Sequence, residues 1–364
     1  MHELKDDIKP ELLLPQIGER KVHIAQRYIG DFWDGPLEAA KWVVDGVIPE
    51  GLTVITGQSG AGKTTALPGL AAAAAGFLHP RHPLQGPKNV RRRVVIVTEY
   101  PIQLKRLFAA AEARGDLLEG WKDYINLVQG KKEKPDVWME PLDMSGLITT
   151  CEVDGVVVNK GPLFIIDTMG YAFDLEDENS NDEIFKLIAG LKEAWGEDVS
   201  TWLVTHTAKG KDNKEPRGAS AKRDAADHTV AIYQKNDRCF LEIMKTKYAH
   251  DETLFALRLY AQPMEVQDEF LQAKRETVQI SFAEPATQED KAAKAKAEDK
   301  NTEDSILELL ADGPLSSTKI NDQLSVHYNV TKRLLDGLEK RGRVSVKRGR
   351  SHIWSLVEPP FEDF

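Results

Sequence analysis

Apolar residues in this chain fall into short dense runs separated by amphipathic stretches. Residues 51–56, 93–98, 163–167, 201–205, 228–233 and 240–244 are each rich in β-branched and aliphatic side chains. Such runs predict strands covered on both faces, and their alternation with helical periodicity predicts a mostly parallel α/β sheet. The pattern spans residues 36–282, the expected main domain. Residues 1–35 are charged and weakly periodic, which predicts a loosely docked arm suited to subunit contact. Residues 283–301 carry alanine and charge, and the expectation is a linker, partly helical at most.

Residues 302–358 form a second unit of different periodicity. Helices are expected over 305–311, 318–324 and about 329–340, the second capped by Ser316 or Ser317. Two strands around Arg348-Gly-Arg350 close it. This small α+β pattern resembles a winged helix-turn-helix. Residues 359–364 are a short acidic, aromatic tail.

Composition narrows the function classes. The net charge is -10 over 364 residues, so bulk charge does not make the chain a nucleic-acid binder, and any such contact must come from a local patch. One patch stands out. Residues 332–350 hold eight basic residues against two acids, Asp336 and Glu339, a net of +6. Lys332, Arg333, Arg341, Arg343, Lys347, Arg348 and Arg350 are the candidate phosphate contacts there. Two cysteines, Cys151 and Cys239, argue against a disulfide framework and fit a reducing cytoplasm. The longest apolar run, residues 70–78, is far short of a membrane span, so no membrane association is expected.

The chemistry is written most clearly at residues 57–65, Gly-Gln-Ser-Gly-Ala-Gly-Lys-Thr-Thr, between a predicted strand and an alanine-rich helix. This is the phosphate-loop pattern in the context it requires. The backbone N–H groups of Gly57, Ser59, Gly60, Ala61, Gly62, Lys63, Thr64 and Thr65 would cradle phosphates at a helix N-terminus. Lys63 would reach the β- and γ-phosphates of ATP, and the Thr64 hydroxyl would ligate Mg2+. Asp167 ends the run Leu163-Phe-Ile-Ile-Asp167 and is the expected second magnesium residue. Glu99, at the end of residues 93–98, is the candidate to activate water. His206, after the run 201–205, is the candidate γ-phosphate sensor. Arg217 lies on a polar, glycine-flanked stretch and suits a finger acting on a neighbouring subunit's site. Lys245 and Lys247 follow the last predicted strand and are candidates for that same shared site. The acidic run 174–183 lacks the glycine and glutamate spacing of a calcium loop and is expected to be solvated, a subunit contact or a second-sphere magnesium element.

Together these residues resemble the RecA-like hexameric helicases of plasmid RepA type. The resemblance covers about residues 36–260. It rests on Trp42-Val-Val-Asp-Gly-Val-Ile-Pro, the phosphate loop, Thr98-Glu99, Ile166-Asp167-Thr168, Glu178-Asn179, Thr205-His206-Thr-Ala-Lys209, and Arg217-Gly-Ala-Ser220 with Asp227 following. It implies a RecA-like core, ATP and Mg2+ as cofactors, and a homo-hexamer. Glu99 would be the base, His206 the sensor and Arg217 the group acting in trans. The family's usual pair of histidines is here Thr205-His206, and residues 131–160 match nothing in it. Two functions follow as expectations: a DNA-translocating motor with single-stranded DNA in its channel, or an ATP-switched regulator or loading factor binding duplex DNA through residues 302–358.

Overall fold

The computed structural model describes residues 40–357, except 131–132, 134–144, 154, 178–179, 197, 208–213, 215, 217–220, 236, 249–252, 268–272 and 350–351. In chain order the elements are β1 (Trp42–Val44), β2 (Ile48–Pro49), β3 (Leu52–Gly57), α1 (Lys63–Ala75), β4 (Val94–Thr98), α2 (Pro101–Ala113) and β5 (Ile125–Gln129). Then come β6 (Thr149–Val153), β7 (Val156–Lys160), β8 (Leu163–Asp167), α3 (Met169–Ala172), α4 (Asn181–Trp195), β9 (Ser200–His206), α5 (Ala221–Ala225), β10 (His228–Lys235) and β11 (Arg238–Lys245). The remainder are β12 (Leu254–Gln267), β13 (Ala273–Pro285), α6 (Gln288–Ala311), β14 (Leu315–Ser316), α7 (Ser317–Leu324), α8 (Tyr328–Lys340), β15 (Val344–Lys347) and β16 (Ile353–Leu356).

Among the described residues nine strands form the central sheet, in the order β13-β12-β11-β10-β3-β9-β8-β4-β5. From β10 to β5 every pairing is parallel, and the three pairings from β10 to β13 are antiparallel. The parallel strands are apolar at successive positions because both faces are covered. On one face Ile55, Val94, Ile96, Leu163, Ile165, Trp202 and Val204 pack with α1 and α2. On the other, Leu52, Val54, Val95, Val97, Phe164, Ile166 and Leu203 pack with α4. Alternation of neighbours between the two clusters is the period-two geometry of a strand inside a three-layer fold.

α1 is buried along nearly its whole length, which explains its alanines: small side chains let it sit close against the sheet, its edge strand β13 included. A Cβ on Gly69 would stand 2.8 Å from the Phe282 ring, so the helix and β13 pack at a distance only glycine permits. The long β12–β13 hairpin is not anticipated by the predicted strands. Its β12 half alternates between more and less exposed positions from Arg258 onward, a one-sided pattern without a dense apolar run.

The expected linker at 283–301 is corrected. Residues 288–311 are one continuous helix, α6, which runs through the boundary placed at 302. Thr287 caps it: its Oγ1 accepts the Asp290 N–H at 3.2 Å, and the Asp290 carboxylate accepts the Thr287 N–H at 2.9 Å. Alanine, lysine and glutamate are strong helix formers, so a stretch poor in bulky apolar groups need not be a tether. Beyond α6, β14, β16 and β15 form a small antiparallel sheet. Ile306 and Leu310 of α6 share a separate core with Ile320, Leu335, Leu338 and Trp354. The expected arm at 1–35 and tail at 359–364 lie outside the described residues.

Candidate nucleotide site

The phosphate loop joins β3 to α1 at the C-terminal edge of the parallel strands. Gly60 (φ 79°) and Gly62 (φ 92°) adopt left-handed backbone, which glycine takes without strain. At Gly57 the need is space, since a Cβ would stand 2.3 Å from the Ile232 carbonyl oxygen. The Thr65 hydroxyl donates to the Gly62 carbonyl at 2.8 Å. Lys63 Nζ donates to the carbonyls of Gly57 at 2.7 Å and Gln58 at 2.9 Å. The Lys63 side chain is 6% exposed. Burial lowers its pKa to about 8 against the opposing pull of the Asp167 carboxylate.

Asp167 closes β8 beside the loop, and the Thr64 hydroxyl donates to its Oδ2 at 3.4 Å. Its Oδ1 is buried and accepts no hydrogen bond from the described residues. Burial raises the Asp167 pKa and nearby Glu99 adds to that, while Lys63 and Thr64 oppose it. An orphaned carboxylate oxygen next to a hydroxyl suits a hard cation. Among the described residues no group of three or more His, Cys, Asp or Glu could hold a metal alone. A cation here would therefore draw its remaining oxygens from phosphate and water, as nucleotide-bound Mg2+ does.

Strand register brings the other two candidates to the same edge. Thr98 pairs with Asp167, so Glu99 lies one residue beyond on the adjacent strand, half-buried. The Tyr100 hydroxyl hydrogen-bonds Glu99, which raises the tyrosine's pKa. His206 pairs with Gly57 on β9, the strand inserted between the phosphate-loop strand and the Asp167 strand. Lys63, Thr64, Asp167, Glu99 and His206 thus come from four strand ends to one rim, where open α/β sheets bind ligands.

Lys245 and Lys247, expected at a site shared between subunits, do not lie at this chain's own rim. Lys245 pairs with Thr229 at the start of β10, beside the start of β3, at the opposite edge of the sheet from the loop. Its Nζ donates to the carbonyls of Arg223 at 2.9 Å and Ala226 at 2.8 Å, closing the end of α5. Lys247 ion-pairs with Asp227, whose Oδ2 accepts the Leu52 N–H at 2.9 Å. These lysines are ties at the foot of the sheet. Arg217, Lys209, Glu178 and Asn179 lie outside the described residues.

In the acidic run, Glu183 turns back to accept the N–H groups of Glu176 at 3.0 Å and Asp177 at 3.3 Å, and Ser180 caps α4. Its described part organises a helix N-terminus. In the C-terminal unit the basic patch is partly neutralised from outside its own segment. Arg333 forms a two-point pair with Asp299 at 2.6 Å, and Arg341 pairs with Glu303 at 2.7 Å, both acids on α6. Arg348 reaches Glu339 at 3.5 Å. Lys332, Arg343 and Lys347 are exposed, and Arg350 lies outside the described residues. The acids of α6 are not evident from the sequence because they lie 34 and 38 residues before the arginines they pair, Arg333 and Arg341.

The phosphate loop on a mostly parallel sheet, with the acids at neighbouring strand ends, defines a nucleoside-triphosphate-binding ATPase core. The family model described as an AAA domain matches residues 21–212, more than half of the chain, and the chain belongs to that family. It is a P-loop ATPase. No curated protein matches the chain. No helix among the described residues is long and apolar enough to cross a membrane.

Proposed function

We propose that this chain is a Mg-ATP-hydrolysing, RecA-like ring ATPase that acts on DNA as a helicase or remodelling motor. The observation that carries the reading is the gathering of Lys63, Thr64, Asp167, Glu99 and His206 on one sheet edge. In this reading Lys63 leaves the loop carbonyls to bind the β- and γ-phosphates. Thr64 and Asp167 hold Mg2+, which when bound supplies charge neutralisation at the phosphates. Glu99 takes the proton of the attacking water, His206 contacts the γ-phosphate, and Arg217 completes a neighbour's site. The exposed Lys332, Arg343 and Lys347 form the duplex-facing part of a winged helix-turn-helix.

The test is ATP turnover with and without single-stranded DNA, with the mass in solution measured alongside. Glu99→Gln is expected to bind nucleotide and lose about 10²–10⁴-fold in turnover. Arg217→Ala is expected to lose turnover while the assembly persists. A monomer whose turnover ignores both DNA and Arg217→Ala would end the motor reading. The second reading, an ATP-switched duplex-binding regulator, would then stand, favoured by the continuous helix that joins the C-terminal unit to the sheet.

A further inference from the structure

α6 belongs to both halves of the molecule. Near its start the fully buried Asp290 accepts Arg238 Nη1 at 2.8 Å and Arg258 Nη2 at 2.6 Å, from β11 and β12. One turn on, Lys294 Nζ donates to Glu242 of β11 at 2.7 Å. Its far end supplies Ile306 and Leu310 to the C-terminal core. A helix latched at both ends transmits displacement instead of absorbing it.

A second path reaches α6 from the phosphate loop. The Gly57 carbonyl has two donors: Lys63 Nζ at 2.7 Å and the Thr207 N–H at 3.3 Å. Thr207 forms an antiparallel bridge with Pro216, two residues from Lys214. Lys214 Nζ donates to Glu242 at 2.7 Å, lies 3.7 Å from Glu298 of α6, and sits 4.2 Å above the Tyr233 ring. The Tyr233 hydroxyl donates to the same Glu242 carboxylate at 2.6 Å. Lys214 and Glu242 are mostly buried, so that pair is largely shielded from solvent and salt, while Glu298 stands nearer the surface.

The shared carbonyl makes the path responsive to nucleotide. A phosphate that takes the Lys63 ammonium off Gly57 would remove one of the two donors on that carbonyl and so alter the bond the Thr207 N–H makes. We infer that Lys214 couples the nucleotide site to the C-terminal unit: the Thr207–Pro216 bridge shifts as Lys63 changes partner, and Lys214 passes that shift through Glu242 and Glu298 to α6. The inference rests on the chain being a P-loop ATPase and does not require that it act on DNA.

Hydrogen exchange on the full chain tests it, comparing the nucleotide-free chain with Mg-ADP and with a slowly hydrolysed Mg-ATP analogue, in wild type and Lys214→Ala. In wild type, α1 gains protection with either nucleotide, and amides 291–305 exchange at rates that differ about fivefold or more between the nucleotide-free and nucleotide-bound chain. In Lys214→Ala the α1 protection stays and the α6 difference disappears. Glu242 keeps Lys294 and Tyr233 in that variant, and Lys214→Met, which retains the aliphatic stem, replaces it if the alanine variant melts early. An α6 that ignores nucleotide while α1 is protected overturns the coupling, as does an α6 difference that survives both substitutions. If neither nucleotide protects α1, nucleotide binding itself fails and the coupling falls with it.

Discussion

At the residue scale, Lys63 sets an expected pH dependence of nucleotide binding. Its pKa near 8 reflects an ammonium buried among carbonyls. Bound phosphates stabilise the charged form and raise that pKa, so nucleotide binding takes up a proton above about pH 8. Apparent ATP affinity is therefore expected to be flat below pH 8 and to weaken above it. Calorimetry in buffers of different ionisation enthalpy reads the proton uptake directly, and no uptake at pH 8.5–9 would contradict the assignment. Gly57 sets a second expectation. A methyl group 2.3 Å from the Ile232 carbonyl must move β3 or β10, so Gly57→Ala should lose ATP binding and destabilise the fold by about 1–3 kcal/mol. Nucleotide-binding titration and thermal melting check it.

At the element scale, α6 depends on Asp290. That carboxylate serves a capping box and two arginines together. Burial alone would raise its pKa, but hydrogen bonds from Arg258 and Thr287 and the positive charge hold it far below the ordinary carboxylate range. A depressed folded-state pKa means stabilisation present above the unfolded value, near 4, and lost as pH falls below it. The joint between sheet and α6 should loosen in acid. Asp290→Ala is expected to cost about 2 kcal/mol, since it removes the cap and leaves two guanidinium groups unpaired, each about a third exposed and so partly solvated. Denaturant melts at pH 7 measure this loss, and a smaller difference between the two proteins at pH 3 confirms the sign.

At the scale of the whole molecule, the C-terminal core is built across the boundary that composition suggests. Ile306 and Leu310 come from the same helix whose start is pinned to the ATPase sheet. A fragment of residues 288–357 should fold alone, with a helical spectrum and a cooperative melt. A fragment beginning at residue 312 lacks both side chains and should not fold. Equal stability of the two fragments would refute this account of the core.

Local pattern carried most of the catalytic edge. The spacing Gly57…Gly62-Lys63-Thr64 names its chemistry, and the runs ending at Asp167, Glu99 and His206 mark strand ends because burial on both faces demands continuous apolar residues. Three things were decided only when the chain folded. Which strand ends become neighbours depends on sheet order, and β9 enters between β3 and β8 although it follows both in sequence. Where Lys245 and Lys247 stand is set by the antiparallel pairing of β11, which carries them to the edge opposite the phosphate loop. The charge of the C-terminal patch and the role of Lys214 depend on acids 28 to 84 residues away, Glu242, Glu298, Asp299 and Glu303. Sequence records periodicity and short spacings, which report the local environment of a strand or loop. Charge pairing acts through space, so it becomes legible only once tertiary contacts set distant residues side by side.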